Sequence, residues 1–295
     1  MNVTVFGAGT MGNGIAHVFA LKGHKVNLCD TDNARLDHGI DNISKNLNRQ
    51  ISKGHISQEN ANKTLNIIKT GTHAATMLEG AELVVEAVNE QFEVKAEIFN
   101  LADEFTDAKT ILASNTSSIS ISKLAAETRR ADKVIGMHFM NPVPLMQLVE
   151  VIKGKETSEA TTITIVELSK KLDKIPVVVN DFPGFVSNRV LMPMINEAIY
   201  CVYEEVADVA AIDEIMKLGM AHPMGPLQLA DYIGLDVCLS IMQVLQQGFS
   251  DAKYKPCPLL SERVEQGKLG VKSGEGFYTW MHGKLQKPVN FIGRK

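Results

Sequence analysis

A short apolar run, Asn2-Val-Thr-Val-Phe6, leads directly into Gly7-Ala-Gly9-Thr-Met-Gly12, and a lone acid, Asp30, ends a second strand-like run 18 positions after Gly12. Few arrangements constrain a fold as tightly. Gly7 allows the chain to turn, Gly9 lets backbone approach a pyrophosphate without an intervening side chain, and Gly12 lets the following helix lie close to its strand. Met11, Ile15, Val18 and Phe19 then form a helical apolar stripe, with Gly23 as its expected C-cap. The helix N-terminus would offer unpaired N–H groups and positive dipole to phosphates. Asp30 stands where a carboxylate accepts hydrogen bonds from both adenosine ribose hydroxyls. A 2′-phosphate there would meet negative charge, and the next cation is Arg35, so the pattern favours NAD over NADP.

With 295 residues the chain can build one large or two moderate domains. A formal net charge of −4 gives no bulk attraction to nucleic acid or to an anionic membrane, and neither is expected as a partner. Cys29, Cys201, Cys238 and Cys257 show no CxxC spacing, which argues against a disulfide framework or a metal site and fits a reducing compartment. No apolar run approaches the length of a membrane span, and with a core strand at Asn2 no signal or transit peptide is expected. The expected location is the cytoplasm.

Residues 31–69 read as a polar helical insertion, broken near Gly54-His-Ile-Ser57, where Ser57 is a candidate N-cap. Strand-like runs follow at Leu83–Ala87, Thr110–Ser114, Val134–Phe139, Met146–Ile152 and Pro176–Val179, mostly alternating with helical segments. Leu83-Val-Val is apolar on both alternating faces, as in a strand covered by helices on each side. The fold class is therefore α/β, a doubly wound and mostly parallel sheet. Composition changes at Asn180-Asp-Phe-Pro-Gly184, beyond which helical patterns dominate; a helix is expected over Phe185–Glu204, kinked or restarted at Pro193. The expected division is residues 1–181 for the sheet domain and 182–295 for an all-helical second domain.

In such sheets ligands sit beyond the carboxyl ends of the strands, and polar residues collect there: Asp30, Glu90, Ser114-Asn-Thr-Ser-Ser118 and His138. A histidine in a strand is most often a core residue, but twelve residues beyond His138 stands Glu150, and Met140-Asn-Pro-Val-Pro144 between them must turn. Antiparallel pairing about Pro144 would set the two side chains opposite each other. A carboxylate partner fixes the tautomer of a histidine and stabilises its imidazolium, which suits a base that removes a hydroxyl proton as hydride leaves carbon.

Taken together, Gly7–Gly12, Val84-Val-Glu-Ala-Val-Asn-Glu90, Ala113–Ser118, His138-Phe-Met-Asn-Pro-Val-Pro144, Leu148-Val-Glu150 and Pro183-Gly-Phe-Val-Ser-Asn-Arg189 resemble the L-3-hydroxyacyl-CoA dehydrogenase family. The resemblance extends through His222-Pro-Met-Gly-Pro226 to Lys272-Ser-Gly-Glu-Gly-Phe-Tyr278, and the length is most similar to the bacterial 3-hydroxybutyryl-CoA dehydrogenases. It implies a Rossmann-type NAD domain, an acyl-CoA substrate, and a homodimer formed through the helical domain. It also implies His138 as acid/base oriented by Glu150, Ser117 and Asn188 on the substrate oxygen, and an active site between the domains. Gly7, Gly9, Thr10, Met11 and Gly12 would form the cofactor loop, with Glu90, Lys95, Ser117 and Asn141 toward the nicotinamide side. Lys53 would meet the CoA phosphates, and Asn46 replaces a serine of that CoA site. Plainer roles stay open: Ser117 as a helix cap, Asn188 as a bridge from helix to linker, Glu90 as a surface acid, Lys53 as a solvated lysine. So do a sugar-acid dehydrogenase of L-gulonate type and a non-catalytic NAD-binding protein.

Overall fold

The computed structural model describes residues 1–291 and 293, and the chain divides into two compact units, one ending at Phe185 and the other starting at Val186. In the first unit the strands are β1 (Asn2–Phe6), β2 (Lys25–Cys29), β3 (Ile68–Gly71), β4 (Leu83–Glu86), β5 (Ile111–Ser114), β6 (Val134–Phe139), β7 (Leu148–Lys153) and β8 (Ile175–Asn180). They form one sheet in the order β3-β2-β1-β4-β5-β6-β7-β8, parallel throughout except where β6 meets β7. The helices are α1 (Thr10–Leu21), α2 (Asn33–Ser52), α3 (Gln58–Asn66), α4 (Ala74–Leu78), α5 (Phe92–Phe105), α6 (Ile121–Ala126) and α7 (Glu159–Lys171).

Strand alternation sorts the core into two layers. Val3, Val5, Leu83 and Val85 join Ile15 and Phe19 of α1 and Ile165 of α7 in one cluster, while Phe6, Val84 and Leu112 join Phe99 of α5 and Leu124 of α6 in the other. Burial on both faces is why Leu83-Val-Val reads as continuous apolar sequence. Strand order reverses around β1, so the loops after β1 and β4 diverge and leave a crevice at their carboxyl ends.

Ser57 caps α3 as expected, its Oγ accepting from Asn60 N–H at 3.1 Å. The helical reading to residue 69 fails at its end, because Ile68–Gly71 is strand β3, in register with Val26–Cys29. At four residues on the sheet edge, it is too short for apolar alternation to register.

The second unit contains α8 (Ser187–Tyr203), α9 (Val209–Gly219), α10 (Pro226–Ile233), α11 (Leu235–Phe249) and α12 (Pro258–Glu265). The helix expected from Phe185 begins two residues later, since Phe185 takes a left-handed φ of +50°, and Pro193 lies inside α8 without ending it. The unit is not all helix. β9 (Tyr278–Met281) and β10 (Lys284–Pro288) form an antiparallel hairpin, which corrects the expectation of an all-helical domain. His282 and Gly283 both take positive φ, the geometry of a tight hairpin turn. Asp231 of α10 pins the hairpin by accepting from Phe277 N–H, Tyr278 N–H and Trp280 Nε1–H at 2.8–2.9 Å. No single helix among the described residues is long and apolar enough to cross a membrane.

Candidate functional site

The glycines between β1 and α1 differ in what surrounds them. A Cβ on Gly12 would lie 1.7 Å from the Gly7 carbonyl oxygen, and one on Gly7, whose φ is +94°, would lie 2.5 Å from that of Ala87. Around Gly9 nothing comes within 4 Å of such an atom. Two glycines therefore close the turn, and the third keeps an open face where a pyrophosphate can approach. Gly9 is also the N-cap of α1 and offers no side-chain cap, which leaves the first amides of Thr10 and Met11 to a ligand. Asp30 Oδ2 accepts from Ala8 N–H at 2.8 Å, tying the acid to the loop, and Arg35 Nη1 stands 3.9 Å from Oδ1. A cavity of about 760 Å³ opens here, lined by Gly7, Gly9, Asp30, Arg35, Val88 and Ile98 among others. A glycine cradle, a helix N-terminus and the acid at the end of β2 on one cavity fit NAD. Burial, aided by the charge of Asp30, pushes the Cys29 thiol up to about 11, so it remains an inert wall residue.

His138 lies on β6 and Glu150 on β7, directly paired in the antiparallel register. His138 Nδ1–H donates to Glu150 Oε2 at 2.9 Å, and both side chains are buried. The carboxylate thus holds the proton on Nδ1 and leaves Nε2 to accept from Ser117 Oγ at 3.1 Å. Phe185 stands beside the imidazole, ring centroids 6.1 Å apart. Ser117 does not cap the next helix; that role falls to Ser120, whose Oγ accepts from Lys123 N–H. A hydroxyl, an imidazole and a carboxylate in series form a chain along which a proton can be accepted and its charge balanced.

Glu90 is no bare surface acid. Its Oε1 accepts from Ser117 N–H, Ser118 N–H and Ser118 Oγ at 2.9 Å and from Thr116 Oγ1 at 2.5 Å, while Lys95 Nζ lies 3.2 Å from Oε2. Although the Glu90 side chain is 39% exposed, partial desolvation opposes ionisation; Lys95 and the Thr116 and Ser118 donors nevertheless hold it below the usual carboxylate range. Lys95 is itself buried and donates to Glu86 Oε1 at 2.7 Å. Burial drives Glu86 upward against the pull of Lys95, Ser114 and Val88. Asn141 is exposed on the loop after β6, which buried Lys174 anchors by donating to the carbonyls of Val143 and Met146.

Two residues essential to this geometry, Glu86 and Lys174, were not picked out from sequence. The visible signal for Glu86 is a charge ending a strand that is otherwise wholly apolar. Lys174 gives no signal, because lysine before a strand is usually solvated. Asn46 lies on α2, where its Oδ1 is 3.5 Å from Arg49 Nη1, and Lys53 is the exposed C-cap of the same helix. They share that helix and are not part of the His138 cluster. Asn188 belongs to the second unit, in the first turn of α8.

Fold and site define a dinucleotide-dependent oxidoreductase. Residues 2–182 match the NAD binding domain of 3-hydroxyacyl-CoA dehydrogenase, and residues 184–280 match its C-terminal domain. A probable 3-hydroxybutyryl-CoA dehydrogenase of Bacillus subtilis is 52% identical over 94% of this chain and 96% of that protein. The human mitochondrial hydroxyacyl-coenzyme A dehydrogenase is 43% identical over 95% of this chain and 91% of that protein. Among solved structures, (S)-3-hydroxybutyryl-CoA dehydrogenase from Ralstonia eutropha superimposes with a TM-score of 0.92 at 46% identity, covering 95% of this chain and 99% of that one. The chain belongs to the 3-hydroxyacyl-CoA dehydrogenase family and is an NAD-dependent oxidoreductase.

Proposed function

We propose that this enzyme interconverts short-chain L-3-hydroxyacyl-CoA, with 3-hydroxybutyryl-CoA as the expected substrate, and the corresponding 3-ketoacyl-CoA. The observation that carries the chemistry is the Ser117–His138–Glu150 chain, with spacings of 3.1 and 2.9 Å. In oxidation NAD supplies the hydride acceptor. His138 Nε2 takes the hydroxyl proton, and the Glu150 carboxylate balances the imidazolium that forms. Ser117 holds the substrate oxygen; in reduction it polarises the ketone while His138 returns the proton. Because oxidation releases a proton, rising pH draws the equilibrium toward the ketone.

Asn46 and Lys53 on α2 are assigned to the CoA portion of the substrate. The cation at Lys53, with Lys45 and Arg49 exposed on the same helix, supports phosphate contact. The working form is assigned as a homodimer through the helical unit, a reading supported by exposed Ile215 and Leu218 on α9 and Met220 just beyond it. Cytoplasmic location is supported by the four free cysteines.

NADH oxidation with acetoacetyl-CoA, run beside free acetoacetate and a sugar-acid couple, tests the assignment. Turnover of the CoA ester alone is expected. Turnover of only the sugar acid, or NADH binding without turnover of any of the three, would overturn it. Sedimentation tests the dimer, with a monomer at micromolar concentration as the refuting result.

A further inference from the structure

Inside the first unit, Glu86 and Lys95 form an ion pair whose side chains are 0% and 1% exposed. Removing two charges from water carries a large desolvation penalty, and an apolar pair of the same volume would serve the core as well or better. The sheet therefore does not need this pair for cohesion. Its position suggests another use. Glu86 ends β4 and pairs in register with Ser114, which ends β5, at the rim where the serine-rich loop leaves the sheet.

From Glu86 two branches reach that loop. In one, Oε2 accepts from Ser114 Oγ at 2.6 Å, and Ser114 Oγ in turn accepts from Thr116 N–H at 3.1 Å. In the other, Oε1 accepts from Lys95 Nζ at 2.7 Å, Lys95 Nζ stands 3.2 Å from Glu90 Oε2, and Glu90 Oε1 gathers the Ser117 and Ser118 amides. Val88 N–H, 2.7 Å from the same Glu86 oxygen, fixes the carboxylate from the β4 side. Both branches converge on Thr116-Ser117-Ser118, and Ser117 Oγ is the atom set 3.1 Å from His138 Nε2.

We infer that Glu86 is a positioning residue for the reaction: through Ser114 and through Lys95 and Glu90, it holds the Ser117 hydroxyl in line with His138. This rests on the role assigned to Ser117 above. A hydroxyl displaced by a fraction of an ångström loses much of its advantage, since positioning errors near 1 Å can cost about a hundredfold in rate.

The variants are Glu86→Gln and Ser114→Ala, each alone and combined with Ser117→Ala. The readouts are kcat and KM for acetoacetyl-CoA reduction, NADH affinity by fluorescence, and thermal midpoint. Ser114→Ala leaves the buried ion pair intact, so it carries the test if Glu86→Gln does not fold. Each single variant is expected to lower kcat about tenfold with KM and NADH affinity held within about twofold, and to lose most of that effect when Ser117 is already Ala. An undiminished effect in the Ser117→Ala background, or no kcat loss in the folded single variants, would overturn the inference alone. A wild-type rate from Ser117→Ala would overturn the role of Ser117 and the inference with it.

Discussion

Replacing Glu150 by Gln isolates the charge of the His138 partner. Gln is nearly isosteric and its carbonyl still accepts from Nδ1–H, so the tautomer that presents Nε2 to Ser117 is retained. What disappears is the attraction between carboxylate and imidazolium. At the observed 2.9 Å and an effective dielectric near 20, Coulomb's law gives about 6 kcal/mol for the fully charged pair. A transition state in which the proton is roughly half transferred expresses about half of that, and the neutral hydrogen bond that remains recovers about 1 kcal/mol. The net loss is about 2 kcal/mol, or roughly 30-fold in kcat. Steady-state reduction of acetoacetyl-CoA measures it, with NADH affinity and thermal midpoint as controls. A kcat within about threefold of wild type in a folded, NADH-binding variant would refute the charge-balancing role of Glu150.

Other consequences follow from single residues. Asp30→Ala removes the carboxylate expected to meet the adenosine ribose while Arg35 stays, so kcat/KM for NAD should fall at least about tenfold relative to NADP; an unmoved ratio would show that Asp30 does not select the cofactor. Gly12→Ala drives a methyl into the Gly7 carbonyl, 1.7 Å away, and should lower Tm by about 5 °C or more, whereas a wild-type Tm with normal NADH binding would contradict that packing. His17, buried in α1, has its pKa lowered from 6.5 to about 4 by burial and, secondarily, by Lys174. The unfolded chain therefore binds the proton more tightly, and the stability His17 contributes is complete above pH 6.5 and lost as pH falls toward 4. The contribution is roughly 3 kcal/mol, and denaturant titrations of wild type and His17→Met should diverge in slope across that window; parallel curves would contradict the assignment.

The sheet domain was largely legible because its signals are local. Apolar runs bounded by glycine and polar turns mark β1, β4 and β6, and Ser57 announces α3 through a contact only three residues away. The features that escaped depend on distant partners. β3 is an edge strand held by β2, more than 40 residues earlier in the chain. The β9–β10 hairpin carries a turn at His282-Gly283 and inward-facing Tyr278 and Trp280, but its fixed position depends on Asp231 in α10. A lone acid in an amphipathic helix does not advertise three donors from a segment 46 or more residues away.

The site shows the same division more sharply. His138 and Glu150 could be paired from sequence because a single turn about Pro144 fixes their register, and the observed partners are those two residues. Glu90 is different: its place after a strand marks it as a rim residue, but its four donors come from the loop after β5, 26 to 28 residues along the chain, so neighbouring sequence does not show what it gathers. Glu86 lies deeper still, with its two carboxylate oxygens divided between α5 and β5. Residues that touch ligands stand out in a sequence because their types are chemically distinctive at strand ends. Those that place them do so through long-range contacts, and an acid closing an apolar strand gains its meaning only when Ser114 and Lys95 are seen to converge on it.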